Sequence, residues 1–383
     1  MLSFELITDL AELEPLSDEW DALAIACALP LMAPGWVMPW WHHMAPPGAE
    51  PRTIVVLDGD RLVGFAPFYT VPGKRGRIDY RLPGIELASR LSPLALPGRE
   101  WEVAGVVARV LADAQPRAEI VALEGHPAGS PWAATLRNAW PGWLRPVLRQ
   151  YLIMGAPTIS LGDESYEAWL AGKSSNFRSQ MRRVGRQFDA AGGHARVSTH
   201  ETLSADIDTF IRLHTERWED LGESGLVAIA DRVPAMLEAA AAELLDGGRL
   251  RIWMLEVDGE PISAQLFVAA AGEVAYVNGG WDERFARLKP AMLGILCAIE
   301  DAFARGERRI DLGAGEQPYK LRFSDGNDPV AWSILMTPGA HLPLTRARTA
   351  WMLTSHAVRD SAKRALSAEQ ADRLRTIRRR LGA

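Results

Sequence analysis

Apolar residues in the second half of the chain recur at the spacings of helices and strands. Two helical patterns precede three apolar runs, over 251–257, 261–270 and 273–280, and turns that contain glycine separate these runs. A further helical pattern begins at Pro290, a first position that proline suits because its missing N–H costs no hydrogen bond. A last strand follows at 310–312. This order predicts an α+β layer, with helices packed on a mixed, mostly antiparallel sheet.

The chain contains an internal echo. Asp-Gly pairs at 58–59 and 258–259 each separate two apolar runs, and Asp-Gly in that setting is a strong hairpin signal. Two such hairpins, two hundred positions apart, favour two related lobes. We therefore predict tandem lobes over 1–155 and 156–340, and a basic helical tail over 341–383.

The run from 22 to 41 carries no charge over a length that could span a membrane. Pro30, Pro34 and Pro39 would break a spanning helix. We predict instead a helix over about 20–29, followed by a loop rich in proline and tryptophan, and no transmembrane segment. Acidic residues before this run argue against a signal peptide.

Composition bounds the class of protein and its surroundings. The 383 residues are 48% hydrophobic and 23% charged, which is ordinary for a globular protein. The net charge of −6 argues against a protein whose general role is to bind nucleic acid. The two cysteines, Cys27 and Cys297, stand far apart among apolar neighbours, which favours free thiols in a reducing, cytoplasmic setting.

Two basic segments each allow two interpretations. In the helical pattern at 176–188, the side chains of Arg178, Arg182 and Arg186 align opposite an apolar face. This helix either braces the lobes with a solvated basic face or contacts an anion. The tail ends in "RTIRRRLGA", which is either a packed or solvated helix or a peripheral contact with anionic lipid or RNA.

Several standard sites are absent from the sequence. The "GAGEQPYK" segment has neither the spacing of a phosphate-binding P-loop nor the third glycine of a dinucleotide fingerprint. The eight histidines have no partners at metal-ligand spacing, so we predict no metal. Ser130 lacks the pattern of a nucleophile elbow.

A geometric candidate remains. Strands that end in "AYVNGG" and "IDLGAG" flank the helix from Pro290, and glycines at their ends would let neighbouring strands splay. The helix would direct its unpaired N–H groups into the opening, with Arg284, Arg287 and Lys289 just before it. The alternative is that these loop charges are merely solvated.

Five segments carry a family resemblance: "SSNFRSQMRRVGRQF", "LHTERWEDLG", "LEVDGEPISAQL", "WDERFARLKPAML" and "IDLGAGEQPYKLRF". Their order resembles the GNAT N-acyltransferase superfamily, and in particular the CelD-like acetyltransferase domain of cellulose and exopolysaccharide biosynthesis. The resemblance covers about 20–332 and is strongest from Ser174 onward. More distantly, the chain resembles the Fem-type peptidyltransferases, which have two such lobes and use aminoacyl-tRNA.

The resemblance implies that an acyl-CoA lies between the splayed strands, with its pyrophosphate at the helix from Pro290. Relatives have a glycine-rich loop or Ser-Pro-Gly there, whereas "LKPAML" has Lys289 and Ala291, and the lysine could replace lost backbone contacts by charge. The candidate residues for binding acetyl-CoA or another acyl-CoA are Val277, Asn278, Arg287, Lys289, Ala291 and Met292.

Acyl transfer to an amine needs a base, a donor to the carbonyl oxygen and an acid for the departing thiolate. Glu316 is the candidate base and Tyr319 the candidate acid, with Asp282 facing them. A backbone N–H near Val277 or Asn278 would polarise the carbonyl. The candidate acceptor-binding residues are His214, Arg217, Trp218 and Lys320. The alternative for each is an ordinary packed or solvated side chain.

The sequence thus predicts a GNAT-like N-acyltransferase. Its partners would be a small-molecule acyl donor and an amine or hydroxyl of a sugar or cell-envelope precursor. Two alternatives stay open. One is a Fem-type transferase that takes its aminoacyl group from tRNA, and the other is a non-catalytic scaffold in polysaccharide secretion.

Overall fold

A computed structural model describes residues 2–72, 77–218 and 225–365, with two mixed sheets flanked by helices. The strands are β1 (Ser3–Ile7), β2 (Glu50–Asp58), β3 (Arg61–Pro72), β4 (Ile78–Arg81), β5 (Leu94–Ala95), β6 (Ile120–Pro127), β7 (Val147–Met154), β8 (Pro157–Ser160), β9 (Gly193–Val197), β10 (Leu250–Val257), β11 (Glu260–Ala270), β12 (Glu273–Trp281), β13 (Arg309–Asp311), β14 (Gly326–Asn327) and β15 (Val330–Met336). The helices are α1 (Ser17–Ala26), α2 (Pro34–His43), α3 (Glu100–Asp113), α4 (Trp132–Ala139), α5 (Tyr166–Gly172), α6 (Ser175–Ala190), α7 (Leu203–Trp218), α8 (Val233–Leu244), α9 (Pro290–Ala304), α10 (Pro318–Leu321) and α11 (Leu342–Ala365). The predicted α+β class is confirmed.

The two sheets repeat one strand order. The first sheet runs β1-β2-β3-β4-β6-β15-β7, with β5 paired to β3, and the second runs β14-β8-β13-β12-β11-β10-β9. In each, an antiparallel strand and an Asp-Gly hairpin lead to a further strand, a helix and a parallel strand. The parallel pairs are β4–β6 around α3 and β12–β13 around α9. The predicted hairpins and the predicted relation between the lobes both appear in this repeat.

The first sheet takes a strand from late in the chain. β15 pairs with β6 and β7, although 330–336 falls within the range predicted for the second lobe. The lobe boundaries at 155 and 340 stay a prediction. β15 lies within the range predicted for the second lobe but belongs to the first sheet. The predicted tail is helical as far as Ala365, and its basic end lies outside the described residues.

The predicted loop rich in proline and tryptophan is wrong, because 34–43 forms α2. Pro34 takes the first helical position, where no N–H is needed. Trp36 and Trp40 are buried, and α2 packs on α8 so closely that a Cβ on Gly35 would lie 2.9 Å from Glu243. Tertiary burial of the tryptophans therefore outweighs the hydrogen bond that Pro39 removes inside the helix.

The largest buried cluster is shared by both lobes, since it contains Trp36 and Phe65 together with Met236 and Leu266. This shared core fixes the lobes against each other. In the described ranges, no helix has both the length and the apolar character needed to cross a membrane. The apolar face predicted for α6 is buried, while Arg182 and Arg186 are exposed.

Candidate active site

The parallel pair β12–β13 separates after three positions. Glu273 pairs with Arg309, Val274 with Ile310, and Ala275 with Asp311, and the pairing stops there. Gly313 follows with a φ of 74°, and a Cβ added to it would lie 3.2 Å from the carbonyl oxygen of Tyr276. Glycine thus allows the chain to turn away from β12 at this point, as the sequence predicted.

A cavity of about 760 Å³ opens where the strands part. Its wall comes from both lobes. The first lobe supplies the 85–89 segment between β4 and β5, and the first sheet supplies Met154 and Trp332. The second lobe supplies the end of β12, the start of α9 and residues within 312–320. The predicted site residues on this wall are His214, Arg217, Val277, Asn278, Lys289, Ala291, Met292, Tyr319 and Lys320. A volume of this size accommodates an extended small molecule.

The start of α9 faces the cavity. Pro290, Ala291 and Met292 line the wall, and the first turn of the helix contains no acidic residue. Lys289 precedes it in the left-handed conformation, at a φ of 48°. The unpaired N–H groups and positive dipole end of a helix, next to an ammonium group, attract anions.

A buried lysine lies at the parting of the strands. Lys320 is 5% exposed, and its Nζ donates to the carbonyl oxygens of Ala314 (3.2 Å) and Gly313 (3.4 Å). Burial lowers the pKa of Lys320 to about 8, against a smaller raising effect of Asp311. The amine therefore exchanges its proton much closer to neutral pH than an exposed lysine does.

Tyr276 and Tyr319 form the polar part of the wall. The hydroxyl of Tyr276 donates to Oε1 of Gln265 at 2.8 Å, and Nε2 of Gln265 donates to the hydroxyl of Ser263 at 2.9 Å. Burial raises the pKa of both tyrosines, so both hydroxyls stay protonated near neutral pH. The sequence analysis missed Tyr276 and Gln265. They could have been noticed because they are polar side chains within the otherwise apolar runs of β12 and β11.

His214 and Arg217 reach the wall from α7. Nδ1 of His214 lies 3.1 Å from the carbonyl oxygen of Gly279, so Nδ1 carries the hydrogen and Nε2 is the basic nitrogen. Burial lowers the pKa of His214, which favours the neutral ring. Arg217 pairs with Glu283 at 2.9 Å and lies over the ring of Trp281. The side chain of Trp218 lies outside the described part of the chain.

Three predicted residues are not on the wall. Glu316 is exposed, packs against Gly155 and accepts a hydrogen bond from Nδ2 of Asn327 at 2.9 Å. Asp282 caps the 3-10 turn at 283–288 and pairs with Arg284. Arg287 is exposed in that same turn and does not line the cavity.

The first lobe supplies a residue that sequence reasoning missed. Among the wall residues that the structure describes, Glu86 carries the one carboxylate. It accepts a hydrogen bond from Nε1 of Trp40 at 3.3 Å. Only the packing of the lobes brings Glu86 to the cavity, so no local pattern marks it.

Residues 175–321 match the family model of the acetyltransferase (GNAT) domain. The fold resembles the crystal structure of FemX, with a TM-score of 0.59 and 13% identity over 86% of this chain and 96% of that one. It also resembles the C-terminal domain of a putative lysylphosphatidylglycerol synthetase from Agrobacterium fabrum, with a TM-score of 0.53 and 9% identity over 88% and 95% of the two chains. A conserved protein of unknown function from Bacteroides thetaiotaomicron has a TM-score of 0.51 and 11% identity over 88% and 100%.

These likenesses establish a shared fold across both lobes. No curated protein matches the chain in sequence. The GNAT part of the predicted resemblance is confirmed by the family model, while its CelD-like part stays a prediction.

Proposed function

We propose that this protein is an acyl-CoA-dependent GNAT-type acyltransferase whose acceptor is an amine or hydroxyl of a sugar or cell-envelope precursor. One observation carries the proposal: the parted ends of β12 and β13 and the acid-free start of α9 open into the same cavity. An extended donor with an anionic end needs both features in one place. The GNAT family match of 175–321 covers all of these elements.

The residues of the wall fit a CoA thioester. Lys289 and the N–H groups at the start of α9 would hold the pyrophosphate, and this charge offsets the missing glycine of the usual loop. The end of β12, at Val277 and Asn278, has left the ladder with β13. Its backbone groups can therefore hydrogen-bond the pantetheine amides and polarise the thioester carbonyl.

The acid and base roles go to groups on the wall. Tyr319 stays protonated and donates its proton to the sulfur as the C–S bond breaks. His214, neutral and with Nε2 as its basic nitrogen, takes the proton that the acceptor loses as its new bond to the carbonyl carbon forms. His214 thereby takes the role that the sequence analysis gave to Glu316, whose side chain is bonded to Asn327 instead.

Titration calorimetry with CoA and acetyl-CoA tests the donor. We expect Lys289→Glu to weaken binding about tenfold or more, because it replaces attraction by repulsion at the helix start. Arg287→Glu makes the same charge change two positions away, off the wall, and should alter affinity less than about twofold. Release of free thiol with amino-sugar acceptors then measures transfer.

The outcomes separate the alternatives. If no CoA compound binds, or if both variants weaken binding equally, the assignment of the donor is wrong. If aminoacyl-tRNA binds and CoA does not, the cavity belongs to a tRNA-dependent transferase. If neither donor binds, the chain is a scaffold with this fold.

A further inference from the structure

One edge of the first sheet has an unusual surface. Trp143 is 88% exposed and Trp351 is 75% exposed, and both are among the large apolar side chains that solvent reaches most. Leu144 and Met352 are exposed next to them in sequence, and Leu344 is exposed seven positions before Trp351 on α11. We call the exposed residues of 143–149 and 344–352 the β7–α11 surface. Large exposed apolar groups of this kind mark contacts with a partner or a membrane.

The two segments of the β7–α11 surface lie together. Val147 pairs with Met336 at the end of β15, six positions before α11 begins. A single groove is lined by 147–149 of β7 and by residues of the first three turns of α11, including Arg346 and Ala350. The hydroxyl of Thr345 donates to Glu119 at 2.8 Å and holds α11 on the first sheet.

The surface is basic although the protein is acidic. The chain has 48 acidic residues and a net charge of −6, yet 125–162 and 329–359 contain no Asp or Glu. The surface carries Arg145, Arg149, Arg346 and Arg348. In the described ranges, none of these four arginines is paired with a carboxylate. An anionic partner is therefore the electrostatic complement of this surface.

We propose that the β7–α11 surface binds a bilayer that contains anionic lipids. Tryptophans would sit at the headgroup level, leucine and methionine would enter the acyl boundary, and the arginines would contact the phosphates. A second copy of the chain would bring like charges together, which opposes self-association. A nucleic acid would satisfy the arginines and stack on tryptophan, but it offers nothing to Leu144, Leu344 and Met352.

The same strands connect this surface to the cavity. From Arg149 to Met154, which lies on the cavity wall, β7 extends about 17 Å. Trp332 of β15 is also on that wall. Docking would therefore hold the cavity beside the headgroup layer. Membrane binding by the β7–α11 surface does not depend on acyl transfer in the cavity.

Vesicle sedimentation with the full chain tests it. We expect the protein to sediment with phosphatidylcholine vesicles that contain about one-quarter phosphatidylglycerol, to stay in solution with phosphatidylcholine alone, and to be released by salt. Two double variants should each lower the partition coefficient about tenfold or more: Trp143→Ala with Trp351→Ala, and Arg145→Glu with Arg149→Glu. Trp101→Ala is the matched control, since Trp101 is 61% exposed on α3 between Glu100 and Glu102, and it should change nothing.

Four results would overturn the inference. The protein could ignore anionic vesicles. Both double variants could bind as the parent does, which would assign binding to the basic end beyond 365. A single-stranded RNA could bind where vesicles do not. Size-exclusion chromatography could reveal an oligomer that the tryptophan variant dissociates. Thermal unfolding of each variant, expected to match the parent at these exposed positions, verifies that the fold is intact.

Discussion

The two parallel strand pairs have the same topology, but the space between the strand ends is filled by protein in one pair and open in the other. In the first lobe, the β4–β6 pair is closed by an ion pair of Arg81 with Glu124 at 2.6 Å. The chain that follows β4 packs onto β6, where the carbonyl oxygen of Gly125 accepts from the N–H groups of Arg90 and Leu91. In the second lobe, β12 and β13 part into the cavity. We call the space between the ends of each parallel pair its wedge. Equivalent topology thus gives a filled wedge in the first lobe and an open wedge in the second.

The helices that connect the strands of these pairs, α3 and α9, also differ in the charges at their starts. The first turn of α3 contains Glu100 and Glu102, and Arg99 before it is tied to Asp58 and Glu102. The first turn of α9 has no acid and follows Lys289. A helix start surrounded by its own carboxylates repels an anion, whereas one beside a lysine attracts it. The start of α9 is therefore the better site for an anion, although both lobes supply the wall of the cavity.

The filled wedge also braces the open one. Arg90, in the segment that closes the first pair, forms an ion pair with Asp311 of β13 and another with Asp328 at 2.8 Å. Oδ1 of Asp311 accepts from the N–H of Gly313 at 2.8 Å, at the turn where the strands part. The first lobe therefore fixes the geometry of the second lobe's opening.

The largest expected effect comes from removing that brace. Arg90→Ala should lower the free energy of unfolding by about 3–5 kcal/mol, because it leaves the buried carboxylate of Asp311 unpaired. The matched control is Arg99→Ala, which breaks exposed ion pairs and should lower the free energy of unfolding far less. Urea unfolding of both variants measures the difference. Equal costs would show that the two lobes are not coupled through Arg90.

The next largest effect is a difference in how stability depends on pH between Lys320, in the second lobe, and Arg81, in the first. Burial lowers the pKa of Lys320 to about 8 in the folded protein, from the ordinary lysine value of 10.5 that applies to the unfolded chain. Between these values the unfolded chain binds more protons, so stability contributed by this group rises with pH across that window and is constant outside it. Compared with Lys320→Met, the parent should gain about 3 kcal/mol of unfolding free energy from pH 8 to 10.5.

The first lobe supplies the control for this titration. Arg81 and its partners Asp79 and Glu124 stay charged from pH 8 to 10.5, so the parent and Arg81→Met should differ by the same amount across that window. Denaturant unfolding at several pH values measures both differences. A flat difference for Lys320→Met would mean that the amine of Lys320 titrates like an exposed lysine and that its burial is misassigned.

The sequence predicted the elements whose signal is local. The hairpins at Asp58 and Asp258, the strands β10 to β13 and the helix from Pro290 follow from periodicity and turn chemistry, and all lie where expected. The helix α2 was missed because its prolines signal a loop, whereas burial of its side chains, Trp36 and Trp40 among them, stabilises it. Long-range packing carries no local pattern.

The candidate site divides in the same way. Lys289 and Ala291 reach the cavity because a helix start has a fixed direction. Glu316 does not, because the glycine-rich turn before it leaves the direction of its side chain to contacts with Gly155 and Asn327. Glu86 is brought in by the other lobe, which no spacing within either lobe encodes.

The smallest expected effect comes from a substitution that makes the start of α9 resemble the start of α3. Ala291→Glu gives α9 an acid in its first turn, as α3 has, and should weaken CoA binding by about 1–2 kcal/mol, which is about 5- to 30-fold. Glu102→Ala removes an acid from α3 and should leave CoA affinity unchanged, since that helix starts beside a filled wedge. Titration calorimetry with CoA compares the two variants at low and high salt, and the loss for Ala291→Glu should shrink as salt screens it. If Glu102→Ala changes CoA affinity as much as Ala291→Glu does, the difference between the two helix starts does not determine where the anion binds.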